Sequence, residues 1–298
     1  MSKFLQYELW KNCRNNCKFC YNLGQKNFKD IKERIYSIIS NLDKFDSDKF
    51  SDFGITGGEF FDGQLQQLNI KNEFYELISK ICQLIKENKI KRFLVTTALM
   101  HEDSRDIEEF IQFLKKKKCL EKVLFCTSYD TKYRFTDKTL SYWKTNIKKL
   151  YKKHKIHLHT EIIMTDDFIC SVLDGNIDIV EFEKTYNTAV DFIQPSVPFG
   201  LDISKHEFEK RVPGFFPKRN NFLQLLEKWI CSGYNLSRLL CIDDHSNEMH
   251  GVINGEPKTI YDRDIVEKYI SPYRNADQVG YIDSDKFMRK DVEALLEI

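Results

Sequence analysis

The chain has 298 residues, enough for one large domain or two small ones and for a sizeable core. Hydrophobic residues make up 42% and aromatics 13%, which excludes a disordered chain, and 46 Lys+Arg against 45 Asp+Glu leave a formal net charge of +1. That balance argues against an electrostatic nucleic-acid or membrane-surface protein, and no apolar run approaches the ~20 residues that span a bilayer.

In chain order, Phe4–Trp10 reads as a first strand. A helix follows over 30–43, with Ile31, Ile35, Ile38, Ile39 and Leu42 on one face. Asp52–Thr56 is a second strand, ending at Gly57-Gly58, and Phe74, Leu77, Ile78, Ile81 and Ile85 mark the next helix. A third strand, Phe93–Leu99, precedes a helix carrying Ile107, Phe110, Ile111 and Leu114. The fourth, Val123–Ser128, precedes a helix with Leu140, Trp143, Ile147, Leu150 and Tyr151. His157–Ile163 and Val190–Val197 are the fifth and sixth strands, and Phe222, Leu225, Leu226, Trp229 and Ile230 mark a helix after them. Such alternation predicts parallel strands joined by helical crossovers, either an incomplete βα barrel or a doubly wound sheet. In both architectures the active site lies at the carboxyl ends of the strands. Residues 1–232 carry this rhythm; residues 233–298 are irregular and polar up to a helical stretch near Asp291–Ile298, and read as a C-terminal cap. The lysine runs at 115–118 and 148–155 read as solvated helix faces. The opening residues lack a basic segment followed by an apolar one, so a cytoplasmic protein without a signal peptide is expected.

Nine cysteines are present, three of them within eight residues as Cys13, Cys17 and Cys20, directly after the first strand. That spacing arises by chance in only about 1 in 100 chains of this cysteine content. Reduced thiols clustered so tightly point to metal or redox chemistry, and three of them leave a four-ligand metal with one open position. The competing reading is a zinc-stabilised nucleic-acid-binding or interaction module, with His154, His157 or His159 as the fourth ligand. The other six cysteines read as small core residues. Gly54-Ile-Thr-Gly57-Gly58-Glu59 follows the second strand, where two glycines permit close backbone approach and a carboxylate suits an ammonium group. On the fifth strand, His157, His159 and Glu161 alternate with Leu158, Thr160 and Ile162, which predicts a polar set facing the barrel interior. Cys126 shares strand parity with Ser128 and faces the same way; Cys126, His159 and Glu161 are the candidate catalytic side chains.

The CxxxCxxC loop with an aromatic, Phe19, before its last cysteine, followed by the Gly57-Gly58-Glu59 turn, resembles the radical SAM superfamily. Thr127-Ser128-Tyr129-Asp130 looks like its segment after strand four, and Gln194-Pro-Ser-Val-Pro-Phe-Gly200 like its strand-six segment near the adenine. The resemblance implies a partial, TIM-barrel-like (β/α)6 fold over residues 1–232. It implies a [4Fe-4S] cluster on Cys13, Cys17 and Cys20, and S-adenosylmethionine contacted by Phe19, Gly57, Gly58, Glu59, Ser128 and Asp130. The implied reaction is reductive cleavage of S-adenosylmethionine to methionine and a 5′-deoxyadenosyl radical that takes a hydrogen atom from a substrate. A reductant such as flavodoxin or ferredoxin is the implied partner. With only Cys231 and Cys241 after the barrel, no second cluster is expected.

Overall fold

Apolar runs with period 2, set between stretches with period 3.6, can bury both faces of a sheet only by wrapping helices around it. The computed structural model describes residues 4–15, 17–20, 27–130, 132–193, 195 and 203–232, together with short strands at 239–240, 249–253, 256–260 and 279–282. Six strands lie side by side in chain order, all parallel: β1 (Phe4–Glu8), β2 (Asp52–Thr56), β3 (Arg92–Thr96), β4 (Val123–Tyr129), β5 (Leu158–Ile163) and β6 (Thr188–Ile193). The register aligns Leu5, Phe53, Phe93 and Val123 in one row across four strands. The crossovers carry α1 (Ile31–Leu42), α2 (Gln64–Gln67), α3 (Lys71–Lys86), α4 (Arg105–Lys116), α5 (Asp137–His154), α6 (Asp166–Leu173) and α7 (Ile179–Tyr186); α8 (Lys205–Arg211) and α9 (Arg219–Cys231) follow β6. This is the expected α/β architecture, an all-parallel sheet of the partial (β/α)6 kind.

The helices start where side chains can accept the orphan N–H groups of a first turn. Asp30 caps α1 through Glu33 N (2.9 Å), and a Thr136–Thr139 capping box opens α5. Ile35, Ile38 and Leu42 of α1, Phe74 to Ile85 of α3 and Phe110 of α4 pack with Tyr7, Phe53, Phe93 and Phe125 in one core. A second core joins Ile162, Val190 and Phe192 to Phe168 of α6 and Trp229 of α9. Helices α6 and α7 have no counterpart in the sequence reading. Each is eight residues long, too short for a periodic signal, and each is announced only by its cap, Thr165 or Asp178.

Two more strands widen the sheet. β7 (Leu239–Leu240) pairs with β6, and β10 (Val279–Ile282) pairs with β1, both parallel, while β8 (Met249–Ile253) and β9 (Glu256–Ile260) form an antiparallel hairpin. The sequence reading took residues 233–298 as irregular; part of this segment supplies both outer strands of the sheet. The terminal helix near Asp291–Ile298 and residues 194 and 196–200 of the strand-six segment lie outside the described residues. No helix among the described residues is long and apolar enough to cross a membrane.

Candidate active site at the carboxyl ends of the strands

The chain leaves β1 through Leu9 and the fully buried Trp10, then turns into the cysteine loop. Leu9 N bonds to Thr56 O at 2.9 Å, which keeps the loop alongside the end of β2. Gly57 and Gly58 explain why the loop can lie there. Gly58 N donates to Trp10 O at 2.6 Å. A Cβ on Gly58 would overlap the Asn12 carbonyl and sit 2.5 Å from its carbon, and one on Gly57 would overlap Trp10 O. Gly57 also has a φ of +136°, which a side chain disfavours. The close approach these glycines allow in this structure is that of the cysteine loop itself.

The loop is held on its other sides too. The Cys13 sulfur bonds to main-chain groups of Asn15 and Glu59. Although Cys13 is exposed as a residue, the protein crowded around its sulfur, with the Glu59 carboxylate, pushes its pKa up to about 11. Cys17 is buried against Ala98 and Met100, in a cluster that also takes in Phe19, Cys20 and Phe135. Phe19 stacks on Phe215 with centroids 5.8 Å apart and planes at 19°, and Lys18 N donates to Tyr133 O at 3.3 Å. Glu59 is only 3% exposed. Its carboxylate accepts from Phe61 N (3.0 Å), Thr97 Oγ1 (2.8 Å) and Ala98 N, so it brackets the turns after β2 and β3.

Asp130, 1% exposed, directly follows β4. Its Oδ1 gathers the N–H groups of Lys132 (2.8 Å), Tyr133 and Arg134 (3.2 Å), folding the turn that reaches the cysteine loop. Oδ2 is buried without a partner among the described residues, and burial raises the carboxyl's pKa. Tyr133 is a residue the sequence did not single out. Its hydroxyl lies against Asp167 Oδ2 (2.6 Å) and Pro213 O, tying the turn after β4 to α6 and to the segment after α8.

The faces of β4 and β5 divide as their alternation predicts. Phe125, Leu158 and Ile162 pack on helices, Thr127 accepts from Trp143 Nε1 (3.2 Å), and Thr160 bonds Thr188 (2.7 Å). Cys126, Ser128, His159 and Glu161 therefore share the opposite, concave face with Asp191 of β6. His159 Nδ1 lies 3.1 Å from Asp191 Oδ2. Burial first, then the Asp191 charge, pushes Glu161 up to about 7, against the pull of Arg134 and His159. Cys126 is held as a thiol by burial and by the Glu161 and Asp191 charges. His157, expected on the polar face, precedes the strand and packs edge-on against Tyr151 at 4.8 Å.

The histidines proposed as zinc ligands are engaged elsewhere: His154 with Glu108 at 2.8 Å, His157 with Tyr151 and His159 with Asp191. Glu108 also pairs with Lys149 and Lys153, so this lysine run is a solvated helix face. Cys82, Cys119 and Cys126 are buried as expected, and Cys170 is partly so. Among the described residues no three Cys, His, Asp or Glu side chains converge in metal-binding geometry. By donor chemistry the loop nevertheless fits an iron–sulfur group: three thiols on one short segment, seated on a glycine turn.

No protein-family model matches this chain, and no curated protein matches it. Solved structures do. The chain is similar to anSMEcpe with bound AdoMet at 19% identity and a TM-score of 0.50, over 79% of this chain and 65% of that one. It matches HydG, a maturase of the [FeFe]-hydrogenase, at 15% identity and a TM-score of 0.49, over 76% and 48% of the two chains. It matches Streptococcus suis SuiB bound to the precursor peptide SuiA at 13% and 0.45, over 71% and 45%. It thus spans less than two thirds of the length of each of these proteins. With its parallel sheet, and with its cysteine loop and glycine turn at the carboxyl ends of the first two strands, the chain has the fold of the radical SAM enzymes.

Proposed function

We propose that the chain is a radical SAM enzyme. The observation that carries this reading is the three-cysteine loop, seated on Gly57-Gly58 and bracketed by Glu59, within that fold. Cys13, Cys17 and Cys20 would hold a [4Fe-4S] cluster and leave one iron open to S-adenosylmethionine. When bound, this pair supplies a 5′-deoxyadenosyl radical able to take a hydrogen atom from a C–H bond. The chain's own part is to bind, orient and keep water out. Phe19 and the Gly57-Gly58 turn position the loop. Glu59 would take the methionine ammonium beside its present donors, while Ser128 and Asp130 would face its carboxylate or ribose, Asp130 through its unpartnered oxygen. Residues 233–298 would cover the mouth and shape the substrate's entry. The electron would come from a flavodoxin- or ferredoxin-like reductant, in the reducing cytoplasm. Anaerobic reconstitution tests the proposal. The expected product is brown protein with about four irons per chain that forms methionine and 5′-deoxyadenosine with dithionite. Bound zinc in place of iron, or product formation retained in Cys17→Ala, would refute it.

A further inference from the structure

The near-zero net charge conceals a division. Residues 86–92, 115–122 and 152–155 carry twelve lysines and arginines against two glutamates, a net +10 in nineteen residues. With the whole chain at +1, everything else sums to −9. These stretches lead from α3, α4 and α5 into β3, β4 and β5, which are neighbours in the sheet. The topology therefore gathers them at the amino ends of the strands, and contacts join them. Lys115 Nζ lies 3.0 Å from His154 Nδ1, and Lys86 and Lys117 line one groove of about 390 Å³ with Glu76, Ser79, Lys80 and Gln83. Some of the charge is answered within the protein: Lys89 pairs with Glu87, Lys80 with Asp43, Arg92 with Asp52 and Lys153 with Glu108. Lys86, Lys91, Lys116, Lys118, Lys122 and Lys152 are exposed and make no ion pair among the described residues.

The carboxyl ends of α3, α4 and α5 meet here, and a basic residue in each last turn offsets the partial negative charge of its helix. That effect fades beyond the last turn, so it does not account for Lys89, Lys91, Lys118, Lys122 and Lys155. Lys118 and Lys155 even adopt the left-handed backbone, at φ 55° and 57°, where asparagine, present after α3 as Asn88, is better tolerated. Like charges gathered this closely repel unless a polyanion lies across them. The residue types select which one. Eleven of the twelve cations are lysine, which suits phosphate as a point charge, whereas carboxylates favour the arginine fork, and lysine is depleted from protein–protein interfaces. The large exposed hydrophobics among the described residues, Tyr36 and Val180, lie elsewhere, so no apolar wedge for a membrane and no platform for stacked bases stands on this face. We propose that the amino end of β3, β4 and β5 anchors the phosphate backbone of a nucleic-acid duplex, without regard to base sequence. The intervening strands of 5 to 7 residues are roughly 17–23 Å long, so a duplex held here leaves the cysteine loop free, and a reductant seated here would not touch it.

The test is fluorescence anisotropy on the full chain with labelled RNA and DNA duplexes of unrelated sequence, the two sources of such a backbone, titrated from about 50 to 200 mM salt. At least one kind of duplex should bind saturably whatever its sequence, with log affinity falling linearly in log salt. The triple variant Lys86→Gln, Lys117→Gln, Lys118→Gln should bind at least tenfold more weakly and lose about 1 from the salt slope for each lysine removed. The triple variant Lys205→Gln, Lys210→Gln, Arg211→Gln on α8, whose Phe208 packs with Tyr133 beyond the carboxyl end of β4, should stay within about twofold of the parent, because salt screens charges so far away. No saturable duplex binding at about 50 mM salt, equal losses in the two triple variants, or tighter binding of polyglutamate or phosphatidylserine vesicles than of both duplexes would overturn the inference. The measurement needs neither metal nor S-adenosylmethionine, so its failure leaves the proposed function untouched, and failure of that function leaves this surface standing.

Discussion

Replacing Gly58 with alanine adds one methyl group where the cysteine loop rests on the end of β2. Gly58 does not share the left-handed φ of Gly57, so alanine can adopt its backbone and any effect is one of contact. The new Cβ would sit 2.5 Å from the Asn12 carbonyl carbon and 3.0 Å from Trp10 Cδ1. Carbon atoms rest about 3.5–4.0 Å apart, and the Asn12 carbonyl oxygen lies closer still, so one side must yield by more than about 1 Å. Trp10 cannot, since it is fully buried with Phe60 edge-on at 4.9 Å. The Gly57-Gly58 turn must back away instead, stretching the Gly58 N–Trp10 O bond. Overpacking costs about 1–3 kcal/mol and a lost hydrogen bond about 1 kcal/mol, so the metal-free variant should lose about 2–4 kcal/mol in urea unfolding. Its Cys13 should react faster with an alkylating reagent, and its iron content after reconstitution should fall. Stability within about 0.5 kcal/mol of the parent, with normal iron loading, would refute the reasoning. Lost S-adenosylmethionine binding with unchanged metal-free stability would show instead that the glycine serves the ligand and not the loop.

Glu59→Ala strands the Ala98 and Phe61 N–H groups and the Thr97 hydroxyl, and should cost about 2–5 kcal/mol as well as S-adenosylmethionine affinity; an unfolding loss below about 1 kcal/mol would mean the carboxylate is no bracket. Glu161 binds its proton more tightly in the folded state, at about 7 against an ordinary 4.5. The stability this contributes is full below about pH 4.5 and is lost as pH rises through 7, a fall of about 1–3 kcal/mol that Glu161→Gln should abolish; unfolding curves for the two proteins that run parallel across that window would exclude it. Tyr133→Phe removes the link to Asp167 and Pro213 O and should destabilise by about 1–3 kcal/mol while leaving β4 intact, which urea unfolding and amide exchange can check.

The parts of the fold legible in the sequence are those whose signal is local and repeated. Ile35, Ile38 and Leu42 recur on one face of α1, and Leu158, Thr160 and Ile162 alternate along β5; both patterns survive packing because burial is what produced them. The cysteine loop and the Gly57-Gly58-Glu59 turn were legible because each is a contiguous motif placed directly after a strand. What encloses them was not. Phe19 on Phe215, Tyr133 on Pro213 O and His159 on Asp191 join residues 196, 80 and 32 positions apart, and no short window holds both halves of such a pair. The purpose of the glycines was half legible: their permissiveness showed in the sequence, but the carbonyl they accommodate belongs to a loop forty-odd residues earlier.

The pairing of β1 with β10 bears on how the chain is made. About 270 residues separate the two strands. A ribosome adding about 5–20 residues per second needs roughly 10–60 s to cover that distance. During that interval β1 has its β2 neighbour early but presents its other edge, with unpaired N–H and C=O groups, to everything nearby. Nascent chains of this protein therefore carry an adhesive margin until residues 279–282 have been made. Slow translation, or a stop codon just before residue 279, should show itself first as aggregation and chaperone capture, before any loss of chemistry at the carboxyl ends of the strands.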